Sequence, residues 1–207
     1  MSEPRTLLVP TARLERWVAN FGQRHGGCVL DVADGRLAGS APDGSVFSAA
    51  PPFGRVYGGA ADVFDFVASC APPERWGLLL VRKGGFAVAR LSGDRLVEHK
   101  IGQRHVQGRT KAGGQSQQRF ARRRDNQARQ AFEAAADHAA RILGLLGGSD
   151  PVVAGGDHAA VEAVLADPRL TATAIVPPFL TVPDPRRAVL DAAVGDACSV
   201  RMSVTNA

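Results

Sequence analysis

Residues 76–102 read WGLLLVRKGGFAVARLSGDRLVEHKIG. Three strand-like runs, WGLLLVRK, GFAVARLS and RLVEHKIG, are separated by Gly84-Gly85 and by Ser92-Gly93-Asp94. Glycine accepts the positive φ that tight hairpins need, and Ser and Asp favour turns. The stretch therefore predicts an antiparallel meander. Downstream the apolar spacing becomes helical at Phe120, Ala128, Phe132, Ala135, Ala139, Leu143 and Leu146, and Gly147-Gly148 closes the pattern. PVVAGG (151–156) and TATAIVPP (171–178) read as buried strands around a helix, DHAAVEAVLAD, with Asp157 at its N-cap. DPRRAVLDAAVG gives a last helix before ACSVRMSV. The expected fold is α/β: a mixed sheet, with the meander followed by β-α-β units and helices on its faces.

Upstream the signals are more scattered. Leu14, Trp17, Val18 and Phe21 follow Pro10-Thr11 at helical spacing and predict an amphipathic helix over about 11–24. Residues 26–53 alternate short apolar runs with the turn pairs Asp34-Gly35 and Asp43-Gly44, and read as a β region. AADVFDFVASC (60–70) reads as a short helix packed through Phe64 and Val67. The expected division is an N-terminal α/β extension, 1–75, packed on a core, 76–207, that carries the terminal helix and strand. No internal repeat and no low-complexity linker interrupts it.

With 207 residues and 45% apolar content the chain can bury an ordinary core. Its start, MSEPRTLLVP, lacks the basic and apolar regions of a signal peptide. No apolar run approaches the roughly 18 residues that suggest a membrane span. Cys28, Cys70 and Cys198 are odd in number, distant and without a C-x-x-C pair. That spacing speaks against a disulfide framework or zinc site, and for buried thiols in a reducing cytoplasm.

The net charge of +5 conceals an asymmetry. The window from His99 to Gln130 holds nine Lys/Arg and one acid, Asp125, and carries +8, while the remainder carries −3. A basic block on a mildly acidic body is the footprint of a polyanion partner. The bias of 22 Arg to 3 Lys runs through the whole chain, so the clustering carries more weight than the choice of arginine.

At the centre of that window stands GRTKAGGQSQQRFARRR, residues 108–124. Gly113 and Gly114 allow close approach of backbone N–H groups, and Gln115 offers an amide donor and an acceptor without charge. Arg119, Arg122 and Arg123 share a helical face at i, i+3 and i+4, where a helix dipole adds to their charge. A narrow neutral tip on a cationic base suits a crowded, phosphate-lined cleft. The segment resembles the GGQ stretch in the central domain of archaeal and eukaryotic class I peptide-chain release factors. Gly-Gly-Gln, the following Ser116, and Arg119-Phe120 with a further arginine match that pattern.

The resemblance covers Trp76 to Pro185, about half the chain. Residues 1–75 show no codon-reading motif of that family, and no space remains for its GTPase-docking domain. The chain thus resembles the compact Vms-like relatives, in an actinobacterial branch that suits its GC-rich composition. The resemblance implies a ribonuclease H-like core and a codon-independent peptidyl-tRNA hydrolase acting at stalled large ribosomal subunits, with no cofactor, metal, DNA or membrane partner. It implies catalytic roles for Gly113, Gly114 and Gln115, and RNA contacts from Arg109, Lys111, Arg119, Arg122, Arg123, Arg124 and Arg129. Two alternatives stay open: a tRNA nuclease cutting near the 3′ CCA end, and a non-catalytic ribosome-binding module.

Other polar residues read more plainly. Ser116 has no dedicated base and suits an N-cap better than a nucleophile. Phe120 reads as a core anchor, and His105 as exposed or structural. VVAGGDHAAV lacks G-x-G-x-x-G and Walker spacing, which leaves a strand-to-helix turn. Asp31, Asp62, Asp65 and Asp94 lack the spacing of a two-metal nuclease.

Overall fold

The computed structural model describes residues 3–103, 130 and 132–207. The chain forms two compact units, one from Met1–Pro72 with Val194–Ala207 and one from Pro73–Ala193. It is α/β throughout, and each unit is built on one five-stranded sheet.

In the first unit, β1 (Arg5–Val9), β2 (Val29–Ala33), β3 (Arg36–Ser40), β4 (Val46–Ala50) and the C-terminal β10 (Val200–Thr205) lie in the order β1-β10-β4-β3-β2. Every neighbouring pair is antiparallel. The Asp34-Gly35 pair makes its turn with both residues at positive φ, 50° and 70°. That is the backbone of a type I′ hairpin. Two helices, α1 (Leu14–His25) and α2 (Val63–Ser69), contribute to the core below this sheet. Leu14, Val18 and Phe21 are buried from α1, as their spacing requires.

Three expectations are corrected here. Helix α2 packs through Phe66, with Val63 and Val67 beside it, whereas Phe64 is 64% exposed. The Asp62 carboxylate accepts from the N–H groups of Phe64 and Asp65 and sets the helix start. Residues 63, 66 and 67 then share one face and residue 64 falls off it. Of the three thiols only Cys70 is fully buried, while Cys28 and Cys198 are half-buried. Finally, the strand that closes the chain lies in this sheet, paired along its length with β1 and β4. The expected 76–207 core had kept it with the meander.

The second unit contains β5 (Trp76–Arg82), β6 (Gly85–Ser92), β7 (Arg95–Gln103), β8 (Pro151–Gly156) and β9 (Ala174–Leu180), in the order β7-β6-β5-β8-β9. The first three make the expected antiparallel meander, and β8 and β9 continue parallel to β5. Strand β5 is buried from Trp76 through Val81 because neighbours flank it and both faces are covered.

Helix α3 (132–143), helix α4 (His158–Leu165) and one sheet face share a core of Leu79, Val81, Phe86, Val88, Ala139, Ile142, Val152 and Val161. Burying a side chain of this size stabilises by about 1.5–3 kcal/mol. The Leu143 side chain fills the space above Gly77, so α3 ends over the start of β5. The helix stops at residue 143, before the Gly147-Gly148 pair expected to close it. At the far end of β8, Asp157 accepts from the N–H groups of Ala159 and Ala160 and caps α4. The ring of His158 stacks on Phe179 with centroids 3.6 Å apart. On the opposite sheet face, the Arg187 guanidinium at the start of α5 (Arg187–Ala197) approaches His99 Nε2 at 3.3 Å.

Candidate functional site

The registers of β5, β6 and β7 decide which side chains meet α3. Val81 lies opposite Phe86, Phe86 opposite Gly102, Val88 opposite Lys100 and Arg90 opposite Glu98. Since side chains alternate along a strand, Glu98, Lys100 and Gly102 all share the α3 face. Glu98 receives the Arg141 guanidinium from α3, and Arg90 lies 3.6 Å from its other oxygen. This carboxylate between two arginines anchors the last turn of the helix to the sheet edge.

Toward the start of α3 the packing opens. A cavity of about 200 Å³ is lined by Arg82, Phe86, Lys100, Gln103, Phe132 and His138, with Val81, Gly85, Gly102 and Ala134 completing the wall. Glycine at 102 lets the Phe86 ring lie close over the strand, because a Cβ at that position would come within 2.2 Å of a ring carbon. The ring lies in the gap and its other side meets His138, centroids 5.7 Å apart and planes at 27°. Arg82 donates to the Val182 carbonyl at 2.7 Å and approaches Asp184 at 3.5 Å. Lys100 is exposed and has no hydrogen-bond or ion-pair partner among the described residues.

The cavity marks the two ends of the basic segment. Strand β7 ends at Gln103, and helical structure is described again at residues 130 and 132. Gln103 and Phe132, one from each side of 104–129, meet in this wall. The residues expected to do chemistry, Gly113, Gly114 and Gln115, lie outside the described residues. So do Arg109, Lys111, Arg119, Arg122, Arg123, Arg124 and Arg129, and also His105, Ser116 and Phe120.

Sequence reading counted Lys100 in the basic window and Phe132 in the helical pattern, but gave none of the cavity residues a place in the site. The alternation of Glu98, Lys100 and Gly102 was the available signal for a shared face. Their meeting with Phe132 and His138 depends on tertiary packing that no local pattern reveals.

Elsewhere in the second unit, Arg169 ties its own turn to α3, reaching Asp167 at 2.7 Å and Asp137 of α3 at 2.6 Å. Hydrogen bonds from the Arg169 side chain and backbone hold the Asp167 carboxyl down at about 2. Among the described residues no three His, Cys, Asp or Glu side chains come together in a way that could hold a metal ion. No described helix is long and apolar enough to cross a membrane.

The family model for Actinobacteria/chloroflexi VLRF1 release factors, acVLRF1, matches residues 74–203. The chain belongs to this family. The match covers more than half of it, begins one residue after the second unit starts at Pro73, and contains the entire meander, cavity and basic segment. No curated protein matched the chain. Membership makes this acVLRF1 protein release-factor-like, with a ribosome-rescue role in translation.

Proposed function

We propose that this acVLRF1 protein is a codon-independent peptidyl-tRNA hydrolase, acting in the cytoplasm to free nascent peptides from stalled large ribosomal subunits. One observation carries the reading: the extended GGQ context of residues 108–124 falls inside the release-factor match. Its position between β7 and α3, both parts of a well-packed sheet and core, gives it a firm base.

The substrate is the ester that joins the peptide to the terminal ribose of tRNA. Water adds to the ester carbonyl, the carbonyl–ribose oxygen bond breaks, and a free carboxylate and a ribose hydroxyl result. Negative charge gathers first on the carbonyl oxygen and then on the leaving oxygen. Gln115 serves this path through its backbone N–H and side-chain amide, which orient water and stabilise developing charge. Gly113 and Gly114 keep the tip thin. Arg109, Lys111, Arg119, Arg122, Arg123, Arg124 and Arg129 hold it among RNA phosphates.

The test is peptide release from stalled large subunits carrying labelled peptidyl-tRNA, comparing wild type with Gln115→Ala. Loss of one such donor is expected to cost on the order of 10²–10³ in rate. Equal rates in the two proteins would sink the reading. The tRNA 3′ end, resolved on a denaturing gel, should be intact, whereas a shortened end would identify a nuclease. Absence of release from the wild type would leave a binding module.

A further inference from the structure

The cavity at the start of α3 combines features that the hydrolase reading does not use. Its floor is aromatic, with Phe86 spread over Gly102 and stacked against His138, and Phe132 stands at the side. Its rim is cationic: Arg82 and Lys100 line it, and no acidic residue is among the described residues that do. Gln103 adds one amide that can both donate and accept. At about 200 Å³ it is smaller than the roughly 300–1,000 Å³ of pockets that enclose a drug-sized ligand. That space suits one flat ring with its charged substituent outside.

The other notable cavity in this unit, about 110 Å³, offers neither feature. Among the described residues no aromatic ring lines it, and Arg169, the arginine that does, is already held by Asp167 and Asp137.

We propose that the cavity bounded by Phe86, Phe132 and His138 is a nucleotide subsite, in which one unpaired RNA base stacks against the half-buried rings of Phe132 and His138 while Lys100 binds its phosphate. Stacking on an aromatic side chain tolerates any base, because every base has a π face. The exposed ammonium of Lys100 has no partner to give up among the described residues, so its charge is available to the RNA backbone. Arg82 differs, because the Val182 carbonyl and Asp184 already hold it, and it orients more than it binds. Gln103 reads the edge of the base without selecting one identity. Neighbouring nucleotides would run toward the window from His99 to Gln130, whose charge of +8 supplies the electrostatic attraction.

This proposal rests on the reading of the protein as an RNA-facing factor, but it does not require ester hydrolysis. The experiment is binding of a short fluorescein-labelled oligouridylate to the full chain by anisotropy over a range of salt, for wild type, Phe132→Leu and Lys100→Gln. Phe132→Leu keeps apolar volume and removes the ring; a loss of about tenfold in affinity with an unchanged salt slope is expected. Lys100→Gln is an exposed change that leaves the core intact, and it should reduce the slope by about 0.7, the value for one single-strand phosphate contact.

A 5-iodouridine oligonucleotide irradiated on the wild type should cross-link to the peptide carrying Phe132 and His138. Wild-type affinity and slope in Lys100→Gln, together with cross-links confined to residues 104–129, would overturn the subsite. Peptide release tested separately keeps the two ideas apart. Release with no effect at the cavity defeats the subsite alone, and cavity binding in a protein that releases nothing defeats the hydrolase alone.

Discussion

Both sheets place a phenylalanine directly opposite a glycine on the neighbouring antiparallel strand: Phe47 opposite Gly39 in the first unit, Phe86 opposite Gly102 in the second. In each pair a Cβ on the glycine would come within 2.2 Å of a ring carbon, so the aromatic side chain covers backbone that lacks a side chain of its own. The surroundings differ. Trp17 and Phe21 of α1 close on Phe47 edge to face, with centroids 5.2 and 5.1 Å away. Phe86 stacks on His138 on one side and borders the cavity. One local device thus serves two ends. With three rings together it builds a closed core, and in the second unit it sets a buried ring into one wall of a cavity.

Removing the rings should break this comparison most forcefully. Phe47→Ala deletes the centre of a filled cluster and should cost about 3–5 kcal/mol in urea unfolding. Phe86→Ala should sit at or below the low end of that range, about 3 kcal/mol, because the site already borders empty space. A larger loss at Phe86 than at Phe47 would mean that the cavity is closed in solution.

Filling the glycines is the milder probe. Gly39→Ala pushes Phe47 against Trp17 and Phe21, and such overpacking costs typically about 1–3 kcal/mol. Gly102→Ala pushes Phe86 toward the cavity and should cost less. All three cysteines lie in the first unit, which gives a local readout. Burial pushes the Cys70 thiol up to about 11, so near neutral pH it alkylates only when its surroundings open. Gly39→Ala should raise Cys70 labelling by iodoacetamide more than Gly102→Ala does. The reverse order would refute the assignment of the tighter pair.

The second unit was far more legible in the sequence than the first, for a physical reason. Its meander joins neighbours in sequence through hairpin glycines, and β9 follows β8 after a single helix, so most of its pairings leave a local trace. In the first unit β1 pairs with β10, Arg5 opposite Val204, across nearly the whole chain. A run such as ACSVRMSV announces a strand but not its partner. The phase of α2 was misjudged because Phe64 and Phe66 are equally apolar, and the cap at Asp62 chooses between them. The proposed GGQ tip is a run of consecutive residues, which a sequence displays directly. The cavity, assembled from β5, β6, β7 and α3, could not be read that way.

The smallest expected effect concerns a carboxylate in each unit. Asp43 is held below the ordinary range first by the Ser45 N–H and then by His25, and Asp167 is held at about 2 first by the Arg169 side chain. A lowered native value means that folding favours the ionised form. The stabilisation is therefore complete above the ordinary 3.8 and disappears as pH falls from there toward about 2 for Asp167. Both groups are exposed, so solvent screening keeps the effect small. Asp167→Asn should flatten the acid limb of a plot of Tm against pH over that window and converge with wild type below it, while Cys70 labelling stays unchanged. Asp43→Asn, on the turn that leads into β4 and Phe47, should raise the labelling instead. If both substitutions raised it equally, the filled cluster and the open one would not be separable by local opening, and the contrast between the two aromatic pairs would have to be argued from ligand binding alone.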